Sequence, residues 1–391
     1  CLPISVPPRC PATPEPYLML SDRFPKRCFV ALVSHRNLLP VVAIMLTMFL
    51  AVPTRAESPL PQPLPTPGPS PARIEIHDSI SAPPTLVQPV PGAPVEMAGP
   101  TIAPVDEMLE VDSRHLSCDF GCVKLRNPRF KFYRICPREL RRVPISADYL
   151  LDHSRGPVRH VIYVHGNRYT EGDAKRRGRD VFQRLRSCRT DGIPIRFVVF
   201  SWPSEKRGLA IRDARIKGER ADCQALYLAW WLRHLLHNGV HPTIVSWSYG
   251  GRVTTGAMHV LAGGRLHGHC LPGETIRNAA INLALVAPAV ASDCLHPRGI
   301  HGRGCENIGR MLLFKNRRDA VLRFYWCAVA NKNVKAMGTA GVTGLSRRSD
   351  GSVPGVTTFE MSGAAKLQHS ELKHYDGGAA RRIAALIAET N

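Results

Sequence analysis

The chain has 391 residues, of which 44% are hydrophobic and 21% charged, with a formal net charge of +21. That is the composition of a globular core rather than of a chain disordered throughout, and the length suits one large domain or two smaller ones. Residues 1–107 carry 7 basic and 8 acidic side chains, whereas residues 108–391 carry 45 and 23, so the cationic excess belongs to the C-terminal region.

Residues 1–18 form a proline-rich, irregular leader, untranslated if Met19 is the start. From Met19 the chain places Arg23, Lys26, Arg27 and Arg36 before a 15-residue apolar run, residues 38–52, and Thr54-Arg55-Ala56 then precedes Glu57. A basic head, an apolar run too short for a full span, and small residues at the cleavage positions make 19–56 a signal peptide or a membrane anchor. The expected location is therefore exported: periplasmic, cell-surface or secreted, anchored by 38–52 if uncleaved. Residues 57–107 hold 14 prolines, nearly alternating in SPLPQPLPTPGPSP. Proline donates no ladder hydrogen bond, so this segment reads as a disordered linker or extended tether.

Residues 108–391 read as one folded domain. The strand HVIYV at 160–164 precedes a basic helix over 172–187. A strand over 195–201, IRFVVFS, leads to a helix over 217–237 with a strong apolar face. A short strand, 243–245, is followed by a helix over 249–262, then strands at 281–286 and 311–314, a helical stretch over 319–329, a strand at 356–361 and a last helix over 379–389. Strands alternating with helices define an α/β class with a mostly parallel sheet and helices on both faces.

The chemistry concentrates where the 243–245 strand meets its helix, in TIVSWSYGGRVT. Ser248 stands two residues from Ser246 and two from Gly250, so both flanks are small. A serine held at a strained strand-to-helix turn requires that smallness, and S-x-S-x-G matches the G-x-S-x-G elbow in size. An activated serine needs a base, a group to orient it, and oxyanion donors. HVIYV runs into His165-Gly166-Asn167, a sharp turn that offers the Asn167 backbone N–H; Tyr249, the first helical residue, offers the second. His165 is expected to be structural. Asp319, after the 311–314 strand, is the candidate acid, and equally a helix N-cap. Two histidines follow the 356–361 strand: His369 is the candidate base, His374 the alternative. The order Ser248, Asp319, His369 is that of a nucleophile–acid–base triad on such a sheet. Trp202 and Trp247, at strand ends, are candidates for the pocket wall or for packing.

Nine cysteines follow residue 56, an odd number; Cys118 with Cys122 and Cys294 with Cys305 are the nearest candidate disulfides in an exported chain. A lone CxxxC without a second ligand pair gives no metal site. Neither a phosphate-binding glycine loop nor a nucleic-acid motif is present, so no cofactor and no specific nucleic acid are expected. The basic excess, notably in the 175–189 helix face, suits an anionic surface or is simply solvated.

The segments VIYVHGNRYT, FVVFSWPS, VSWSYGGRV and NRRDAVL, with a late His369-Ser370, resemble a bacterial α/β-hydrolase group classed as a domain of unknown function, similar to esterases and lipases. The resemblance spans about 155–375, and FSWP, 200–203, is its most distinctive match. It implies an α/β-hydrolase fold, Ser248 as nucleophile, Asp319 as acid and His369 as base. The chain departs from the group at Gln368, where a glycine precedes the histidine, and at Ala289, often an aspartate. The expectation is an exported serine hydrolase acting on a small-molecule or lipid-like ester through an acyl-enzyme. Two other readings stay open: an acyltransferase or peptidase on the same triad, and a catalytically silent hydrolase fold that binds anionic surfaces.

Overall fold

The computed structural model describes residues 105–152, 156–206, 210–329, 331 and 333–390. The leader, the signal segment and the linker up to 104 lie outside these residues. Among the described residues no helix is long and apolar enough to cross a membrane.

Nine strands of the described residues form a single sheet: β1 (Glu107–Asp112), β2 (Lys131–Ile135), β3 (Arg142–Pro144), β4 (Arg159–Val164), β5 (Ile195–Ser201), β6 (Thr243–Trp247), β7 (Ile281–Val286), β8 (Ile308–Lys315) and β9 (Gly355–Glu360). Their spatial order is β3-β2-β1-β5-β4-β6-β7-β8-β9. Only the β1–β2 and β2–β3 pairs are antiparallel. The molecule is thus an α/β protein with a mostly parallel sheet. The central strands are mostly apolar and buried: all seven residues of β5 are buried, Arg196 and Ser201 included, because helices cover both faces and leave no side to solvent.

The sequence yields no strand before residue 160, and β1–β3 are additions by the structure. Their signal is masked by acids and bases that the fold pairs in place. Glu110, fully buried on β1, receives a two-pronged bond from Arg142 of β3, with Nε at 2.7 Å. Asp112 is also buried, beside the same arginine.

The main helices are α1 (Glu171–Ser187), α2 (Ala210–His237), α3 (Tyr249–Leu261) and α4 (Ala380–Ala388). Thr170 starts α1 through a reciprocal capping box with Asp173. Helix α2 begins two turns before the expected position. Lys217 is buried there, 3.4 Å from Asp213 one turn earlier, so a charged stretch that looks solvated is internally paired. The stretch over 319–329 is not one helix: a turn at Asp319 leads to a 3-10 turn, Leu322–Phe324, and a short helix, Tyr325–Val329.

α1 packs on α4, and α2 packs on α3. From β4 the chain crosses through α1 to β5 on one side, then through α2 over β4 to β6 on the other. Right-handed crossovers in opposite directions put their helices on opposite faces. The carboxyl end of β4 is therefore a switch point, where crevices form in open α/β sheets.

Candidate active site

Ser248 is the single residue between β6 and α3, and its backbone sits at φ 53°, ψ −120°. That region is costly for a residue with a Cβ, and it persists only where the surroundings over-determine it. Here they do. The Ser248 N–H donates to Val286 O on β7 at 3.0 Å. Its carbonyl accepts from Gly251 N at 3.0 Å and from Ala289 N at 2.9 Å. Ala289, a departure from the resembled group, thus contributes through its backbone. A Cβ on Gly250 would lie 2.1 Å from Val164 O, and one on Gly166 would lie 2.4 Å from the Trp247 ring and 3.1 Å from Ser248 Cβ. The two glycines let the end of β4 and the start of α3 touch. Ser246, the other small flank, is buried, and its Oγ has no hydrogen-bond partner among the described residues.

His369 Nε2 lies 2.9 Å from Ser248 Oγ, and His369 Nδ1 lies 2.7 Å from Asp319 Oδ2. These partners assign the tautomer: Nδ1–H donates to the carboxylate, and Nε2 accepts from the hydroxyl. Asp319 is fully buried. Its Oδ1 accepts from the Val321 and Leu322 N–H groups, both at 2.9 Å, so the candidate acid also satisfies donors of the turn that follows it. Burial pushes its carboxyl up, but His369 and these two donors outweigh that and hold it below its usual value, ionised at neutral pH.

The loops bearing acid and base are joined by a residue that sequence reading passed over. Asn316, fully buried after β8, donates from Nδ2 to Lys366 O at 2.9 Å and accepts at Oδ1 from Arg318 N and Ser362 Oγ, each at 3.0 Å. Ala320 N–H adds a bond to Leu367 O at 3.0 Å.

His374 does not reach the serine. It is buried on the next short helix, with Nδ1 bonded to Ser370 O at 2.9 Å and burial lowering its basicity. The alternative base is therefore a packing residue: five residues past His369, it faces inward from its own helical turn.

On the other side of Ser248, the His165-Gly166-Asn167 turn closes the site. His165 is buried, and burial with Arg114 nearby holds it neutral, well below its ordinary pKa. Trp202 N–H donates to its Nε2 at 3.2 Å, and Nδ1–H donates to Gly166 O at 2.9 Å. His165 is structural, as its position in a buried turn suggests. Neither the Asn167 nor the Tyr249 backbone N–H has a protein acceptor among the described residues. Tyr249 buries its ring and donates its hydroxyl to Ala214 O at 2.9 Å, so only its backbone faces the site.

The two tryptophans differ. Trp202 is fully buried, stacks on His165 and donates Nε1–H to His165 O at 2.8 Å; it supports the turn and is no pocket wall, because its ring is consumed by the core. Trp247 stacks on the His369 ring at 5.0 Å on one side and on Tyr169 at 5.6 Å on the other. It fixes the plane of the imidazole.

Behind this stack lies Glu371, fully buried and also unforeseen. Tyr163 and Tyr169 hydroxyls donate to it at 2.9 and 3.5 Å, and Arg177 Nε stands 3.7 Å away. Burial, offset in part by Arg177, pushes its carboxyl up to about 7. Arg114, after β1, donates to Ser201 Oγ at 2.8 Å and to Tyr169 O at 3.3 Å, bracing the turn from below. The signals were faint: an acid within LQHSELKHYD, and an arginine in a region with no visible strand.

The basic stretch 175–189, whose last residue, Arg189, lies past the end of α1, is not a free cationic surface. Lys175, Arg176, Arg177, Arg179, Arg184, Arg186 and Arg189 each stand within ion-pair distance of an acid. Among the described residues no group of three His, Cys, Asp or Glu is arranged to hold a metal ion. Comparison with family models, with curated proteins and with solved structures finds no match to this chain.

Chemically, the arrangement is a hydroxyl, an imidazole and a carboxylate in one hydrogen-bonded line, with one candidate backbone donor at the N-terminus of α3, Tyr249, and another in the turn after β4, Asn167. Such a line moves a proton off the serine oxygen and offers a site for negative charge.

Proposed function

We propose that this chain is a serine hydrolase of the α/β-hydrolase fold, related to the bacterial group of unknown function that its motifs resemble, and that it cleaves carboxyl esters of a small-molecule or lipid-like class. One observation carries the reading: Ser248, strained at φ 53° on a strand-to-helix turn, is aligned at 2.9 Å with His369, itself 2.7 Å from Asp319. Strain of this kind is retained where it serves a mechanism.

In the proposed reaction His369 Nε2 takes the Ser248 proton as Oγ attacks the ester carbonyl. The tetrahedral oxyanion is held by the Asn167 and Tyr249 N–H groups, favoured by the positive end of α3. Asp319 keeps the imidazole in its tautomer and stabilises the cation. The proton then passes to the leaving alkoxide, an acyl-enzyme remains, and water reverses the steps through the same histidine. The acid–base chemistry is supplied by these side chains.

The test is labelling of the full chain with a fluorophosphonate probe, beside Ser248→Ala. Labelling of the parent alone, with turnover of a chromogenic ester falling by about 10⁴–10⁶ in the variant, is the expected result. A folded parent that stays unlabelled and inert overturns the reading and favours the silent, surface-binding alternative. Labelling without ester turnover moves it to acyl transfer or peptide cleavage.

A further inference from the structure

Spacing alone pairs Cys118 with Cys122, its neighbour in CDFGC. The fold puts a different thiol beside it. Cys118 lies in the segment between β1 and β2, and Cys223 lies on the buried face of α2. Cys223 Sγ stands 3.2 Å from the carbonyl of Ser117, the residue before Cys118. Reciprocally, Gln224, the residue after Cys223, donates from Nε2 to Cys118 Sγ at 3.4 Å. The amide is not free to turn away, because its Oε1 accepts from Ser113 Oγ at 2.6 Å. Cys122 is on the far end of a 3-10 turn, Phe120–Cys122, which the Phe120 ring anchors by stacking on His267 at 4.1 Å.

The two thiols differ in exposure. Cys223 is fully buried, Cys118 is half-buried, and both are reduced here. A half-buried sulfur that accepts from an oriented amide, with a buried thiol beside it, is the arrangement of an attacking and a resolving cysteine. The bond to Cys118 and its own burial push the Cys223 thiol up, so Cys223 keeps its proton until its partner has reacted.

We propose that Cys118 and Cys223 are a redox-active dithiol that closes to an intramolecular disulfide on meeting a disulfide donor. The Cys118 thiolate attacks one donor sulfur; the donor S–S bond breaks, and one donor thiol leaves with a proton. Cys223, giving up its proton, then attacks the Cys118 sulfur of the mixed disulfide and expels the second donor thiol. Two protein thiols are oxidised, and one donor disulfide is reduced to two thiols. The new bond ties the segment that carries Ser113 and Arg114 to α2. It closes a loop of about 100 residues, a length at which a cross-link removes much unfolded-state entropy.

The experiment uses the reduced full chain, exposed to oxidised glutathione, alkylated and mapped by peptide mass without reduction. The expected product is a Cys118–Cys223 peptide pair, two hydrogens lighter than the sum of its parts. It forms in the parent and in Cys122→Ser but not in Cys118→Ser. The melting temperature of the parent rises on oxidation and returns on reduction, and that of Cys118→Ser does neither. A Cys118–Cys122 link, a stable glutathione adduct on Cys118 with Cys223 alkylated, or no reaction overturns the proposal.

Discussion

The two halves of the site are held by different physics. On the nucleophile side, Ser248, Gly250 and the end of β4 are fixed by main chain against main chain, with Gly166 packed against the Trp247 ring, inside the most buried strands of the sheet. On the acid–base side, Asp319 and His369 hang from loops after β8 and β9, and β9 is an edge strand with no fully buried residue. There, the geometry rests mainly on side-chain hydrogen bonds, through Asn316 and the Asp319 carboxylate, with one backbone bond from Ala320 to Leu367. A buried backbone contact leaves no slack, because no rotamer can relieve it. A side-chain staple can be cut while the fold survives. The nucleophile half is therefore the rigid reference, and the acid–base half is the adjustable part.

Replacements that separate chemistry from architecture sharpen this contrast. Asp319→Asn leaves the cap donors an oxygen to bond but removes the charge and the correct imidazole tautomer; kcat for ester turnover is expected to fall by about 10⁴ with the melting curve little changed. Gly250→Ala attacks the rigid half: with Val164 O at 2.1 Å from the new Cβ, strand and helix must separate. The expected loss is several kcal/mol, of order 3–5, read as failure to recover soluble, cooperatively melting protein. If Gly250→Ala folds normally, the idea of a main-chain-locked half is wrong.

Asn316→Ala cuts the staple of the adjustable half. Stability should drop by roughly 1–3 kcal/mol for the buried donors and acceptors left unpaired. Misplacement of His369 should lower kcat by about 10–100-fold with KM nearly unchanged, as steady-state kinetics would reveal. The smallest effect is electrostatic. Glu371 is pushed up to about 7 in the folded chain, mainly by burial. A raised carboxyl pKa means that the folded state holds the proton more tightly than the unfolded state. The associated stability is fully present below the unfolded pKa of about 4.3 and is lost as pH rises through about 7. The parent should lose roughly 1–3 kcal/mol between pH 5 and 8 that Glu371→Gln does not lose, measured as the shift in urea midpoint at the two pH values.

Much of this was legible from residue patterns. The central strands and α1–α3 show through because buried parallel strands are continuous apolar runs and their helices carry apolar faces. The β1–β3 edge does not, because its inward acids look solvated until Arg142 and Arg196 are placed beside them. Trp202, open between pocket wall and packing on sequence, is core, since a strand end alone does not say which way an indole turns.

What the sequence determined by itself is the local machinery: a strand that stops at a serine flanked by small residues, a glycine turn before it, and a late acid and histidines in order. Those constraints act within a few residues, where sterics need no knowledge of the rest of the chain. Only the tertiary structure decided which histidine meets Ser248, that Asn316 joins loops 50 positions apart, and that Cys118 stands beside Cys223 rather than Cys122. Each of those choices depends on where distant loops meet, and that is set by the order of strands in the sheet rather than by spacing along the chain.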